Sequence, residues 1–288
     1  MREADRIAVV TDSTAYLPTG LAEKLRVSVV PLYVIMGGSS GEEGIDIMPD
    51  QLAAALRERR QLVSTSRPTP NSFAQTYRRC LDSGADGVVS IHLSRELSGT
   101  WDAARLAAEE VDPARVKVID SRSAGMGLGF AVLAAAERAA AGAELSAVVR
   151  AGVDTAAATV TLFYVDTLEF LRRGGRIGAA AAVLGTALAV KPLLHVVDGR
   201  IVALEKVRTA SKAIARLAEV AVERAGGRLV DVAVQHLAAP ERADGVAAVL
   251  RDRIPRLRRM HISEVGAVVG AHVGPGLIGV VVAPAVLP

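Results

Sequence analysis

Residues 87–110 read GVVSIHLSRELSGTWDAARLAAEE. Gly87–Leu93 is dense in Val and Ile, as a strand buried on both faces must be. Thr100–Glu110 then spaces its apolar residues at helical intervals. The junction Ser94-Arg95-Glu96-Leu97-Ser98-Gly99-Thr100 is polar and rich in hydroxyls. Strand, polar junction and helix together form the repeating unit of a parallel sheet.

The same grammar extends to both sides. Ile7–Val10, Val27–Ile35 and Val116–Ile119 read as further buried strands. Helical patterns cover roughly Asp50–Arg60, Asn71–Ser83 and Leu128–Ala141. The alternation predicts an N-terminal α/β domain with a mostly parallel sheet and helices on its faces. Ala139–Ala158 is low in complexity but reads as helix, and the domain boundary is expected near Ala151–Thr159, dividing the chain into residues 1–155 and 156–288. Beyond it, Thr159–Val165 reads as a strand and Leu168–Arg173 as a short helix. Pro192–Val197 and Arg200–Val207 flank Asp198-Gly199, a hairpin signal that suits a type I′ turn. Helices around Ser211–Gly226 and Pro240–Leu250 and strands near Leu229–Gln235 and Leu277–Val282 complete an α+β domain with a mixed or antiparallel sheet.

Composition narrows the function classes. A chain of 288 residues with 51% hydrophobic content can bury two cores. Its single cysteine, Cys80, excludes an intramolecular disulfide and fits a reducing compartment. The opening MREADRIAVVTDS has no signal-peptide pattern, and no run reaches the roughly 18 apolar residues of a membrane span. A cytoplasmic protein is expected. The run Val265–Val286 comes closest to a span, but its glycines, prolines and His272 make it core. Net charge is +3 and aromatics are 3%, so the basic stripe and stacking platforms of a nucleic-acid binder are missing. The clusters Arg57–Arg60 and Arg256–Arg259 read as the basic ends of helices. Cores built from Ala, Val and Leu suit a flexible aliphatic ligand better than a base that needs stacking.

In an open parallel sheet, ligands sit beyond the carboxyl ends of the strands. The junctions there are Thr11-Asp12-Ser13-Thr14, Ser94–Thr100 and Asp120-Ser121-Arg122-Ser123, with Val63–Pro70 leading into a helix. Ser and Thr are preferred helix caps, and one hydroxyl per junction needs no other explanation. The surplus hydroxyls, beside free N–H groups, make a site for a small anion, and Gly99 lets the backbone approach it. No GxxxxGK[ST] or GxSxG occurs, and Gly125, Gly127 and Gly129 are spaced GxGxG rather than GxGxxG. The five histidines and Cys80 lack metal-ligand spacing. No catalytic residue and no metal are therefore assigned. In the second domain, Leu168–Ile177 (LEFLRRGGRI) ends a helix on glycines followed by Arg176, and Gly270–Gly276 (GAHVGPG) reads as a sharp turn beside His272.

In order, VTDSTAYLP, TSRPTP, LSRELSGTWDAA, VIDSRSAGMGLG, TLEFLRRGGRIG, KPLLHVVDGRI, KVRT and GAHVGPG span nearly the whole chain. Together they resemble the DegV family, the fatty-acid-binding subunits of bacterial fatty acid kinases. The resemblance implies two α/β domains (the EDD fold) with a buried acyl tunnel between them. It implies that Thr65, Ser66, Ser98 and Gly99 bind the carboxylate of a palmitate-, stearate- or oleate-like fatty acid, with His272 near that head group. It places Arg176 and Arg173 at the mouth and Arg208 at the surface facing a separate kinase subunit. That subunit would transfer phosphate from ATP, so this chain would need no cofactor, and a transient contact with a membrane surface is compatible with lipid exchange. Arg67 stands where the family often carries glutamine. The competing readings are a stand-alone small-molecule enzyme using the Ser/Thr loops with His272 as base, and a nucleic-acid or regulatory protein.

Overall fold

The computed structural model describes residues 6–58, 63–183 and 191–285. The chain divides into two compact units. The first runs to Leu32 and resumes over Ser66–Ala158, and the second comprises Tyr33–Thr65 and Thr159–Ala285. The later crossing lies between Ala158 and Thr159. The single cut at 155 does not describe the division, because residues 33–65 belong with the second unit.

In the first unit, four parallel strands lie in the order Val27–Val30, Ile7–Asp12, Gly87–His92, Val116–Asp120. Successive side chains point to opposite faces. Val10, Val88 and Val116 therefore pack with Phe73 and Tyr77 of helix Pro70–Asp82 and with Ala103, Ala104 and Ala107 of helix Thr100–Val111. Ile91 and Ile119, on the other face, meet Gly152 of helix Leu145–Ala158. Helix Met126–Ala140 is buried from Met126 to Ala136, which accounts for its alanine content. Because the strands are parallel, their polar junctions gather at one end of the sheet.

Val27–Ile35 is two strands rather than one. Pro31 has no N–H with which to continue a ladder, and the chain leaves the first unit there. Tyr33–Met36 then pairs with Ser39–Glu42 across Gly37-Gly38, both at positive φ. Val63–Ser66, read from sequence as loop, is the third strand of this small sheet, whose order is Ser39–Glu42, Tyr33–Met36, Val63–Ser66.

The second unit's main sheet has six strands in the order Arg200–Val207, Lys191–Val197, Val160–Tyr164, Ile278–Pro284, Val230–His236, Leu257–Glu264. All pairings are antiparallel except the last, which helix Pro240–Arg253 joins as a parallel crossover. The expected hairpin is present, with Asp198 and Gly199 both at positive φ. Within residues 191–285, two elements escaped the sequence reading. Leu257–Glu264 is an edge strand, so Arg258 and Arg259 do not end a helix; Arg258 pairs with Asp231 on the neighbouring strand. Ala267–Val273 is a helix preceding the Gly-Pro-Gly turn.

That helix explains why residues 33–65 belong here. Its N-cap is Gly266, which has no side chain to offer. The buried carboxylate of Glu43 accepts from the Val268 N–H at 2.7 Å instead. Gly270 leaves room for Leu52 of helix Pro49–Glu58. A hydrogen bond to a charged group contributes about 2 kcal/mol. Glu43→Ala is expected to lower the unfolding free energy by that order, read as a lower urea midpoint at an unchanged m-value.

Candidate functional site

In the second unit, strand Val63–Ser66 delivers Thr65 to helix Ala267–Val273, and Thr65 Oγ1 lies 2.9 Å from His272 Nε2. The imidazole is half-buried, and its Nδ1 is sealed from solvent with no hydrogen-bond partner among the described residues. That edge rests on Gly174, where a Cβ would come within 2.1 Å of Nδ1. The two glycines of the RRGG motif thus do different jobs. Gly175, at φ +69°, turns the chain out of helix Glu169–Arg173, whereas Gly174 keeps ordinary helical angles and is small so that His272 fits.

Burial, with a smaller push from the Arg176 charge, lowers the His272 pKa to about 4. The ring is therefore neutral near pH 7 and carries one N–H. Placing it on Nδ1 would bury a donor without an acceptor, at a cost of about 1–3 kcal/mol. The favourable tautomer donates from Nε2 to Thr65 Oγ1, which leaves the Thr65 O–H free to donate to another group. Arg176 closes the same loop by donating from Nη1 to the Gly174 carbonyl at 2.6 Å. Thr65, His272, Arg176 and the Gly174 backbone are thus gathered from three separate motifs. Arg173 is engaged elsewhere, with Nε 2.7 Å from Glu169, a carboxylate that Arg172 and Arg173 together hold below its usual range. Arg208 is exposed between strand Arg200–Val207 and helix Ala210–Ala225, and it forms no ion pair among the described residues.

In the first unit the Thr69 hydroxyl is a helix cap, whereas Ser98 lies one residue before the Gly99 N-cap of its helix. Thr69 Oγ1 caps helix Pro70–Asp82 by accepting from the Ser72 N–H. Ser98 Oγ accepts from the Thr100 N–H at 3.3 Å and lies 2.9 Å from Thr100 Oγ1, at the head of helix Thr100–Val111. Gly99 packs beneath the Arg67 side chain, whose Nη1 donates to the Gly99 carbonyl at 3.2 Å. Ser66 is exposed on the preceding residue. These residues form a second polar group, with its hydroxyls near the head of a helix.

One constellation was not legible in the sequence. Asp12 Oδ2 lies 2.9 Å from His92 Nδ1, His92 Nε2 lies 2.7 Å from Ser90 Oγ, and the Tyr77 hydroxyl donates to Ser90 at 2.8 Å. The order Ser–His–Asp imitates a hydrolase triad, yet all four side chains are fully buried. Asp12 also accepts from the N–H groups of Thr14 and Leu93, both at 3.0 Å. The relay ties the ends of two adjacent strands together and has no path to a substrate. Burial raises the Tyr77 hydroxyl well above its ordinary pKa, so it stays a donor. The only hint in the sequence is the i, i+2 spacing of Ser90 and His92 on one face of a strand.

Residues 6–285 match the family model described as "Uncharacterised protein, DegV family". The chain belongs to the DegV family. A DegV domain-containing protein of Streptomyces coelicolor is 60% identical over 96% of this chain and 98% of its own length. One from Mycobacterium tuberculosis is 43% identical over 96% of each chain. Among solved structures, a DegV family protein from Thermus thermophilus, described for fatty acid binding, superposes with a TM-score of 0.92. It is 37% identical over 97% of this chain and 100% of its own. DegV of Bacillus subtilis, described as a fatty acid binding protein, gives 0.88 at 33% identity, over 98% and 100%. The expected DegV fold, a parallel α/β part followed by a part with a mixed sheet, is the one observed. Among the described residues, no helix is long and apolar enough to cross a membrane.

Two outcomes are expected from this geometry. A histidine whose pKa is depressed on folding destabilises the fold in acid, because only the unfolded chain takes up the proton. His272 should therefore contribute stability that is complete above pH 6.5 and is lost as the pH falls towards 4, a difference of roughly 3 kcal/mol. Denaturant titrations should show a shallower acid slope for His272→Gln than for the parent. The buried Ser90 should remain unlabelled by a serine-directed fluorophosphonate in the native protein, as read by intact mass.

Proposed function

We propose that this chain binds a long-chain fatty acid and presents its carboxylate to a separate ATP-dependent kinase subunit, which converts it to an acyl phosphate. The observation that carries the reading is the Thr65–His272 pair. A neutral imidazole that donates from Nε2 occupies the threonine oxygen as an acceptor, and the O–H is left to donate elsewhere. An anion such as a carboxylate is the natural recipient. Ser98, Ser66 and the Gly99 backbone are further candidate ligands of the same head group. The solved relatives from Thermus thermophilus and Bacillus subtilis, both described as fatty-acid-binding, support the ligand class.

The energetics divide the work. Each buried methylene contributes roughly 0.8 kcal/mol, so the acyl chain supplies most of the affinity. A buried carboxylate costs several kcal/mol unless donors meet it, so the hydroxyls orient the ligand more than they hold it. Arg176 and Arg173 would flank the site of entry, and Arg208 is available to the kinase subunit. Transfer would then require no nucleophile in this chain.

The stand-alone enzyme reading would use His272 as a base. Its surroundings argue against that role, because a general base must become imidazolium. Here Nδ1 has no acceptor, and the neighbouring charge is Arg176.

Native mass spectrometry of the freshly purified chain should show a mass increment matching a bound fatty acid. If no lipid is bound and none is taken up on addition, the proposal fails. Thr65→Val should weaken fatty-acid retention by about tenfold or more, since a hydrogen bond to a charged group is worth about 1.5–3 kcal/mol. Ser98→Ala should also weaken it, and unchanged retention there would remove Ser98 from the ligand set. With kinase subunit and ATP, hydroxylamine should trap acyl hydroxamate. Product formed without that subunit would favour the enzyme reading.

A further inference from the structure

Arg67 is the residue that the fatty-acid reading leaves without a task. It follows Ser66 directly and is exposed, yet its side chain has a defined position. The Arg67 side chain packs against Gly99. A Cβ there would sit 2.1 Å from Nη1 and 3.1 Å from both Cδ and Cζ. Nη1 donates to the Gly99 carbonyl at 3.2 Å, and among the described residues this is the single hydrogen bond of a group with five N–H donors. No carboxylate pairs with it among the described residues. Gly99 has φ −74°, an angle any residue adopts, so its small size serves the guanidinium rather than the turn.

A fixed, unpaired guanidinium beside Ser66 and Ser98 is a charge directed at an anion. Its planar fork matches carboxylate oxygens in a way a lysine ammonium does not. We propose that Arg67 is the specificity determinant for the charge of the head group: it makes this protein select an acid over an uncharged lipid of equal chain length. The inference rests on the fatty-acid reading and adds to it a ranking of ligands. The hydroxyls alone would accept a hydrogen bond from an alcohol as readily as they donate to an acid. The cation favours only the anion, and its contribution should weaken as salt screens it.

The test uses the full chain, stripped of lipid, titrated with palmitate and with hexadecanol at low and high salt. The parent should bind palmitate at least tenfold more tightly than hexadecanol, with the gap narrowing at high salt. Arg67→Gln should lower palmitate affinity several-fold or more and leave hexadecanol within twofold. Arg67→Lys, which keeps the charge but not the planar fork, should fall between. If Arg67→Gln leaves both affinities unchanged or lowers both alike, the role assigned to Arg67 is overturned while the fatty-acid reading stands. If the parent binds neither ligand, the fatty-acid reading falls and the role of Arg67 falls with it.

Discussion

A buried polar group without a hydrogen-bond partner costs about 1–3 kcal/mol, and meeting that cost organises both units of this protein. Asp12 is fully buried and is met by His92, by the Thr14 and Leu93 N–H groups and by the Thr14 hydroxyl. Glu43 is buried and spends an oxygen on a helix that has no cap of its own. His272 is an instructive exception, since one ring nitrogen has no partner among the described residues. The tautomer that makes this tolerable is also the one that frees the Thr65 hydroxyl. The site's chemistry is thus a consequence of how the interior settles its own hydrogen bonds.

The shortage of aromatics works in the same direction. Cores of Ala, Val and Leu let backbone and helices approach closely, and the glycines mark where the approach is tightest. Gly174 admits an imidazole, Gly99 a guanidinium and Gly270 the side chain of Leu52. At none of the three is a left-handed backbone angle the reason. Each places a polar or apolar side chain against bare backbone and so holds it more firmly than a surface rotamer would be held.

The two enzyme-like features of the chain lose their force for opposite reasons. Ser90–His92–Asp12 has the right partners but no access to substrate. Thr65–His272 is accessible enough to meet a ligand, but its histidine sits where protonation is opposed by burial and by Arg176. Presenting a ligand to another protein asks for neither.

Much of this was written in local pattern. Dense Val/Ile runs ending in polar junctions specify a parallel sheet, because a strand buried on both faces cannot alternate and its connections must cross over through helices. Asp198-Gly199 specifies its hairpin, because two consecutive positive φ angles suit few other pairs. The hydroxyl at Thr69 declared itself as a helix cap. What the tertiary structure alone decided is non-local. Pro31 interrupts a strand, but only packing shows that the chain crosses to the other unit there and returns at Ser66. The edge strand Leu257–Glu264 was hidden because its arginines imitate a helix end, and its pairing with Asp231 is a contact across 27 residues. Thr65 meets His272 across 207 residues, a distance at which composition and periodicity carry no information. The pKa of that histidine depends on burial and on the Arg176 charge, and both exist only once the chain has folded.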